Sequence, residues 1–241
     1  AVASEAGKHL KKCVLELGGS NAFIILEDAN LEKAVTIAVN ARMQNAGQSC
    51  IAAKRFLVHE KIVDEFVAKF KVAIQNLKTG NPLDKETQIG SLARVDLAEE
   101  LELQVQKSIQ MGAKLIVGGN GKDAFYEPTI LTNVTTEMPV FKEETFGPVA
   151  AIITFKTIEE AIKLSNQSEF GLGVSIFTQD IDFIKTKISA FNEGAVFINE
   201  MVKSDPRLPF GGIKKSGYGR ELAEDGIKEF VNVKTVVINI L

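Results

Sequence analysis

The chain has 241 residues, 45% hydrophobic and 24% charged, with a net charge of −3. This balance suits one large or two modest globular domains with a substantial core, and its well-mixed charges offer no basic run for nucleic acid. No apolar run approaches the ~18 residues of a membrane span, and neither a signal peptide nor a disulfide framework is legible. A cytoplasmic protein with no nucleic-acid or membrane partner is therefore expected.

Strand-like and helix-like segments alternate, which predicts an α/β fold. Residues 1–12 read as a helix tail, with Ala1, Val2, Ala3, Ala6 and Leu10 apolar and no initiator Met; a piece of a longer protein is expected. A strand over 14–17 leads to a Gly18-Gly19 turn and an apolar strand over 22–26. Asp28 or Asn30 is placed to cap a helix through about Gln44, and Gly47 to end it. A strand over 55–59 and an amphipathic helix over 62–77 follow, the latter carrying Ile62, Phe66, Phe70, Ile74 and Leu77 on one face.

Gly80-Asn81-Pro82 breaks that helix. A longer helix is predicted over 91–111 and a short strand over 114–117. A strand over 149–155 precedes a helix whose capping box is Thr157 with Glu160. Strands over 174–177 and 195–198 lead to the glycine-rich loop 210–221. The alternating apolar tail 235–241 reads as an exposed strand awaiting a partner.

Four runs carry residues with chemistry. In Glu16-Leu17-Gly18-Gly19 a carboxylate ends an apolar strand. Such a group either faces water at an edge or, if buried, has its pKa raised toward that of a useful general base. In Gln44-Asn45-Ala46-Gly47-Gln48-Ser49-Cys50 a thiol follows small and polar residues. That suits a reachable nucleophile, an ordinary loop cysteine being the alternative. Cys13, in the apolar run 13–15, reads as a small core residue.

Glu143-Glu144-Thr145-Phe146-Gly147-Pro148 offers acceptor-only carboxylates suited to a ribose diol, or simply a solvated turn. The fourth run, Pro209-Phe210-Gly211-Gly212 with the loop behind it, lacks phosphate-loop spacing. No metal site is expected.

In order and spacing, these four runs resemble the NAD(P)-dependent aldehyde dehydrogenases, from end to end. Phe197-Ile198-Asn199-Glu200 and Ser204-Asp205-Pro206-Arg207 are most similar to the bacterial succinate-semialdehyde dehydrogenases. The resemblance implies an aldehyde dehydrogenase-type α/β catalytic domain with a mostly parallel sheet, a remnant of a Rossmann-like cofactor domain and a C-terminal oligomerisation strand. It implies that Cys50 attacks the aldehyde and that NAD or NADP takes the hydride. Glu16 then activates the water that hydrolyses the thioester, so the product is the free acid and not a coenzyme A ester.

Glu144 would hold the nicotinamide ribose and Phe146 would pack nearby. Leu17 and Gly18 would border the nicotinamide, and Glu221 would relay protons. Ser204 and Arg207, with Lys203, would anchor a substrate carboxylate, plain surface charges being the alternative. The implied boundaries are 1–18 for the cofactor-domain remnant, 19–212 for the catalytic domain, 213–230 for a return to the cofactor domain and 231–241 for the oligomerisation strand of a homodimer or homotetramer. Members of this family are about twice as long, so the 241 residues alone are expected to fold and associate without turnover. A Cys-Glu thiol hydrolase is the remaining alternative, disfavoured because only His9 and His59 are available as imidazoles.

Overall fold

The computed structural model describes residues 1–240. It begins with helix α1 (Val2–Lys8) and strand β1 (Leu15–Glu16), then β2 (Asn21–Ile25), α2 (Leu31–Met43) and β3 (Ala53–His59). Helices α3 (Val63–Gln75) and α4 (Val95–Gln110) lead to β4 (Lys114–Val117), the hairpin β5 (Gly121–Lys122) and β6 (Phe125–Tyr126), and β7 (Thr129–Thr132). Next come α5 (Pro139–Lys142), β8 (Val149–Phe155), α6 (Ile158–Asn166), β9 (Phe170–Gly171), β10 (Val174–Phe177), α7 (Ile181–Lys185) and β11 (Val196–Ile198). Strands β12 (Ile213–Lys214) and β13 (Gly217–Tyr218) and helix α8 (Ala223–Lys228) follow.

Seven strands form one sheet in the order β11-β10-β2-β3-β8-β7-β4. All its pairs are parallel except the edge pair β4 and β7. Every residue of β2 and β3 is buried, as central parallel strands require when both faces are covered. Phe23 of β2 stacks on Phe177 of β10 at 4.5 Å and meets Phe56 of β3 at 5.2 Å. Phe56 in turn packs on Phe66 and Phe70 of α3, two of the residues whose helical spacing marks the buried face. Each such ring removed from water contributes about 1.5–3 kcal/mol.

The cap of α2 is Asn30, whose Oδ1 accepts the Lys33 N–H at 3.1 Å. Asp28 serves elsewhere. Its carboxylate accepts bonds from the Thr178 hydroxyl and the Gln179 and Asp180 amides, tying the end of β2 to that of β10. At α6, Thr157 accepts the Glu160 N–H at 3.2 Å, while the Glu160 carboxylate reaches back to the Lys156 amide at 2.8 Å.

Several expectations change. Helix α4 starts at Val95 because its N-cap Arg94 is extended (φ −150°, ψ 156°). Strand β7 has little sequence signal, since only Ile130 and Leu131 are apolar between its threonines. The tail expected as a strand pairs with nothing among the described residues: 231–240 are exposed and carry no regular structure, and Leu241 lies outside them. Cys13, expected in a strand core, is half-buried just before β1.

Residues 12–17 meet the returning segment. Glu16 pairs antiparallel with Gly217, the Leu17 N–H donates to the Ser216 carbonyl at 3.1 Å, and Lys12 pairs with Glu229 at 2.7 Å. Gly217 has φ +118°, and a Cβ there would sit 1.9 Å from the Leu15 carbonyl oxygen. Gly217→Ala is therefore expected to destabilise the chain by about 2 kcal/mol or more, combining backbone strain with a clash. Gly112→Ala, also at positive φ (+108°) but in open space, should cost about half as much, as read from urea midpoints.

Candidate active site

Four neighbouring parallel strands, β10, β2, β3 and β8, begin on the same edge of the sheet. The segments entering them are therefore brought together: 171–173, 16–20, 44–52 and 143–148. That one topological fact gathers Glu16, Cys50 and Glu144 from positions far apart in the chain.

The segment entering β3 takes an unusual path. Asn45 and Ala46 both have φ +52° and Gly47 has φ +76°. Successive left-handed residues are costly outside glycine and persist only when the surroundings hold them. Here Arg42 Nη2 donates to the Gly47 carbonyl at 2.6 Å, and Asn45 Nδ2 to the Gln48 carbonyl at 2.9 Å. The Gln48 side chain accepts the Ala93 amide at 2.9 Å. Asn21 completes the bracing, with Nδ2 on the Ile51 carbonyl (3.0 Å) and Oδ1 receiving the Gly173 amide (3.2 Å). The result is a half-buried Cys50 on a fixed loop.

Glu144 is pinned beside it. Its Oε1 accepts the Gly19 N–H at 2.9 Å and lies 3.4 Å from Lys54 Nζ. The turn between carboxylate and thiol loop admits no side chain. A Cβ at residue 18 would lie 2.1 Å from Glu144 Oε2, and one at residue 19 would lie 2.5 Å from the Cys50 carbonyl oxygen. Gln104 of α4 donates to Glu143 Oε2 (3.0 Å) and the Glu144 carbonyl (3.2 Å). Leu97, Leu101, Gln104, Glu143, Glu144 and the half-buried Phe146 line a cavity of about 390 Å³.

Both carboxyl oxygens of Glu16 are buried without a hydrogen-bond partner. Burial, and then the charge of Glu221, raise its pKa above the usual carboxylate range, against a Gly212 amide outside hydrogen-bond geometry and the Arg220 guanidinium. Glu221 itself is exposed, its backbone bridged both ways to Phe210. Burial pushes the Cys50 thiol up too; Lys54 and the Ile51 amide lower it, and the charges of Glu16 and Glu144 raise it. The thiol thus senses both carboxylates.

Ser204 and Arg207 stand apart from this group. Both are exposed, and the Arg207 fork is occupied by Asp205, with Nε to Oδ1 at 2.9 Å and Nη2 to Oδ2 at 2.6 Å. That guanidinium holds the Asp205 carboxyl far below its ordinary range. Leu17 is exposed and Gly18 half-buried at the turn. Neither histidine approaches the thiol: His9 contacts Glu5 on the surface, and His59 ends β3, bonded to the Lys156 carbonyl. At ~3.3 Å per residue, that end is about 20 Å from the Cys50 end.

Sequence reasoning missed Asn21, Arg42, Lys54 and Gln104, all buried polar side chains at this edge. The available signal was a Lys-Arg pair opening a strand otherwise composed of core residues.

Residues 1–236 match the profile of the aldehyde dehydrogenase family. The chain is similar to the succinate semialdehyde dehydrogenase Sad of Escherichia coli (strain K12), named for NAD(P)+, at 51% identity over 239 residues, 98% of this chain and 52% of that protein. It is 48% identical to the NADP+-named succinate-semialdehyde dehydrogenase 1 of Mycobacterium ulcerans, over 98% of this chain and 52% of the relative. Among solved structures it superposes on the succinic semialdehyde dehydrogenase of Streptococcus pyogenes, in complex with NADP+, with a TM-score of 0.94 and 40% identity, covering 98% of this chain and 53% of the other. The chain spans about half the length of the curated relatives it matches.

The electrostatics make a direct prediction. In a Cys13→Ser background, Glu16→Gln removes one charge that holds the Cys50 thiol up. Iodoacetamide alkylation of Cys50 at pH 7.5 is expected to accelerate, about two- to fivefold for a shift of a few tenths of a pKa unit. An unchanged or slower rate would show that the carboxylate does not act on the thiol.

Proposed function

Because the chain belongs to the aldehyde dehydrogenase family, we propose that it carries the thiol chemistry by which succinate semialdehyde, or a similar short semialdehyde, is oxidised to the carboxylic acid with NAD(P)+. The observation that carries the reading is the convergence of Cys50, Glu16 and Glu144 on the Gly18-Gly19 turn.

The thiolate of Cys50 adds to the aldehyde carbon and forms a thiohemiacetal. The alkoxide is met by the Cys50 N–H, supplemented by a side-chain amide from outside the 241 residues; removal of one such donor typically costs 10²–10³ in turnover. A nicotinamide dinucleotide, when bound, would supply the hydride acceptor, and Cys50 would then carry the acyl group as a thioester. The donor set suits the dinucleotide: Glu144 presents an acceptor-only carboxylate to a cavity walled by Phe146, Gly18 lies against that carboxylate, and Leu17 beside it would border the nicotinamide. Glu16, uncompensated and raised in pKa, takes a proton from the water that attacks the thioester, and Glu221 passes it outward. Acid and free thiol result. Since Glu16 must be ionised to accept that proton, hydrolysis switches on as pH rises through a value above the ordinary 4.5.

The same reading divides the chain. Residues 1–18 and 213–230, paired through β1 and β13, belong with the cofactor-binding half, and 19–212 form the catalytic body. Residues 231–241 add a strand to a second copy in a homodimer or homotetramer. Support for that last point is the exposed apolar series Val231, Val233, Val236, Val237, Ile238 and Ile240. The substrate carboxylate is met by Ser204 and Arg207, the latter exchanging Asp205 for it.

Three outcomes test the proposal. The 241-residue chain alone is expected to produce no NAD(P)H at 340 nm. Extended by the N-terminal half that its relatives possess, it should oxidise succinate semialdehyde with a kcat/KM at least about tenfold above that for hexanal; equal values would overturn the substrate. Cys50→Ala should abolish turnover, a loss of about 10³ or more. For the tail, light scattering of protein lacking residues 231–241 should show monomer where the intact chain shows dimer or tetramer.

A further inference from the structure

Lys54 is the one lysine buried among the described residues, with none of its side chain exposed. It sits in β3, where the neighbouring residues are packed into the core. An apolar side chain there would avoid the cost of burying an ammonium, which is several kcal/mol for an ion without full compensation. Folding alone therefore gives no reason for a cation at this position.

Its contacts give one. Nζ donates to the carbonyls of Ser49 (3.1 Å), Cys50 (3.1 Å) and Ala52 (3.4 Å), and faces Glu144 Oε1 at 3.4 Å. Three of these acceptors are the backbone of the thiol loop. The fourth is the carboxylate across the Gly18-Gly19 turn. We propose that Lys54 is a positioning residue, locking the Cys50 loop against Glu144 and supplying the positive charge that favours the Cys50 thiolate. The proposal rests on reading Cys50 as the nucleophile.

The surrounding charges make the role specific. From α2, Arg42 faces the ammonium and repels it; from the 143–148 segment, Glu144 attracts it; on its own loop, Cys50 does the same as a thiolate. Burial and Arg42 weaken the hold of Lys54 on its proton, to about 7, while Glu144 and Cys50 strengthen it. At the thiol the balance is the reverse. Burial, Glu16 and Glu144 oppose the thiolate, whereas Lys54 and the Ile51 amide favour it. Arg42 is no substitute, because its Nη2 is directed at the Gly47 and Thr145 carbonyls. Remove the lysine charge and both ionised side chains left acting on the thiol are carboxylates.

The test uses Cys13→Ser protein, so that Cys50 is the single thiol, and measures iodoacetamide alkylation from pH 6 to 10. Lys54→Met removes charge and donors; Lys54→Gln removes charge but keeps an N–H for the loop carbonyls. Both are expected to slow alkylation about fivefold at pH 6.5, where the ammonium is largely protonated, and to converge on the parent above pH 8, where it is largely neutral. Lys54→Arg should stay within about threefold of the parent. Amide hydrogen exchange across 48–52 should speed up in the Met variant. Alkylation profiles of the Met and Gln variants superimposed on the parent would overturn the charge role, and unchanged exchange would overturn the lock. Failure of both variants to fold would make the lysine a structural prop and overturn the proposal outright. Alkylation needs neither aldehyde nor dinucleotide, so a protein without dehydrogenase activity would refute the proposed function while leaving this measurement to decide Lys54.

Discussion

Everything at this edge of the molecule depends on how closely backbone, carboxylate and thiol loop approach one another at Gly18-Gly19. On one side Glu144 takes up the Gly19 amide; on the other the Cys50 carbonyl lies where a Cβ of residue 19 would be. A side chain at either position would wedge the two apart. Backbone approach is what glycine permits and other residues forbid. The motif is thus a spacing device, and the reactive groups take their positions from it.

The sheet supplies the rest of the geometry. Ligands in open α/β sheets commonly gather beyond the carboxyl ends of the strands, yet here the candidate residues lie on segments that enter β2, β3, β8 and β10. Each segment is anchored immediately afterwards by a strand buried along nearly its whole length. Little slack separates a reactive side chain from the core. Cys50 precedes the first residue of β3 by three positions, and the Asn21 side chain ties its loop to the neighbouring strand entries.

How much of this was legible followed from whether a signal was local. The helices and the inner strands declared themselves through periodicity, as in Phe66, Phe70 and Ile74, and through runs such as Phe23-Ile24-Ile25. Glu16, Cys50 and Glu144 stood out because each is a reactive group beside glycines or small residues. Their convergence was not legible, because it requires the order of four parallel strands. Asn21, Lys54 and Gln104 were invisible for a related reason: much of what they bond belongs to backbone outside their own element, and a polar residue in a core segment looks like noise until those acceptors are located. Arg207 shows a local partner going unread. Asp205, two residues earlier, occupies its fork, a pairing that a reading of the cation alone leaves out. The tail 231–240 has the alternation of a strand but joins no strand among the described residues, so periodicity alone could not predict pairing.

The distribution of imperfect bonding argues that this edge was shaped for something other than stability. Natural interiors leave few buried polar atoms unpartnered, and each one asks for an explanation. Here most fall on residues at the site: both oxygens of Glu16, Nε and Nη1 of Arg42, Ser20 Oγ and Thr145 Oγ1. Two fully buried cations, Arg42 and Lys54, share Glu144 as the carboxylate that acts on both. Of the nine described non-glycine residues with positive φ, two in succession, Asn45 and Ala46, lie on the thiol loop. A core selected only to fold would replace these groups with packed hydrocarbon, as the inner strands do only a few residues away. That the unpartnered polar atoms concentrate where a thiol and two carboxylates meet, and not along β2 or β10, is the strongest physical argument that the meeting is functional.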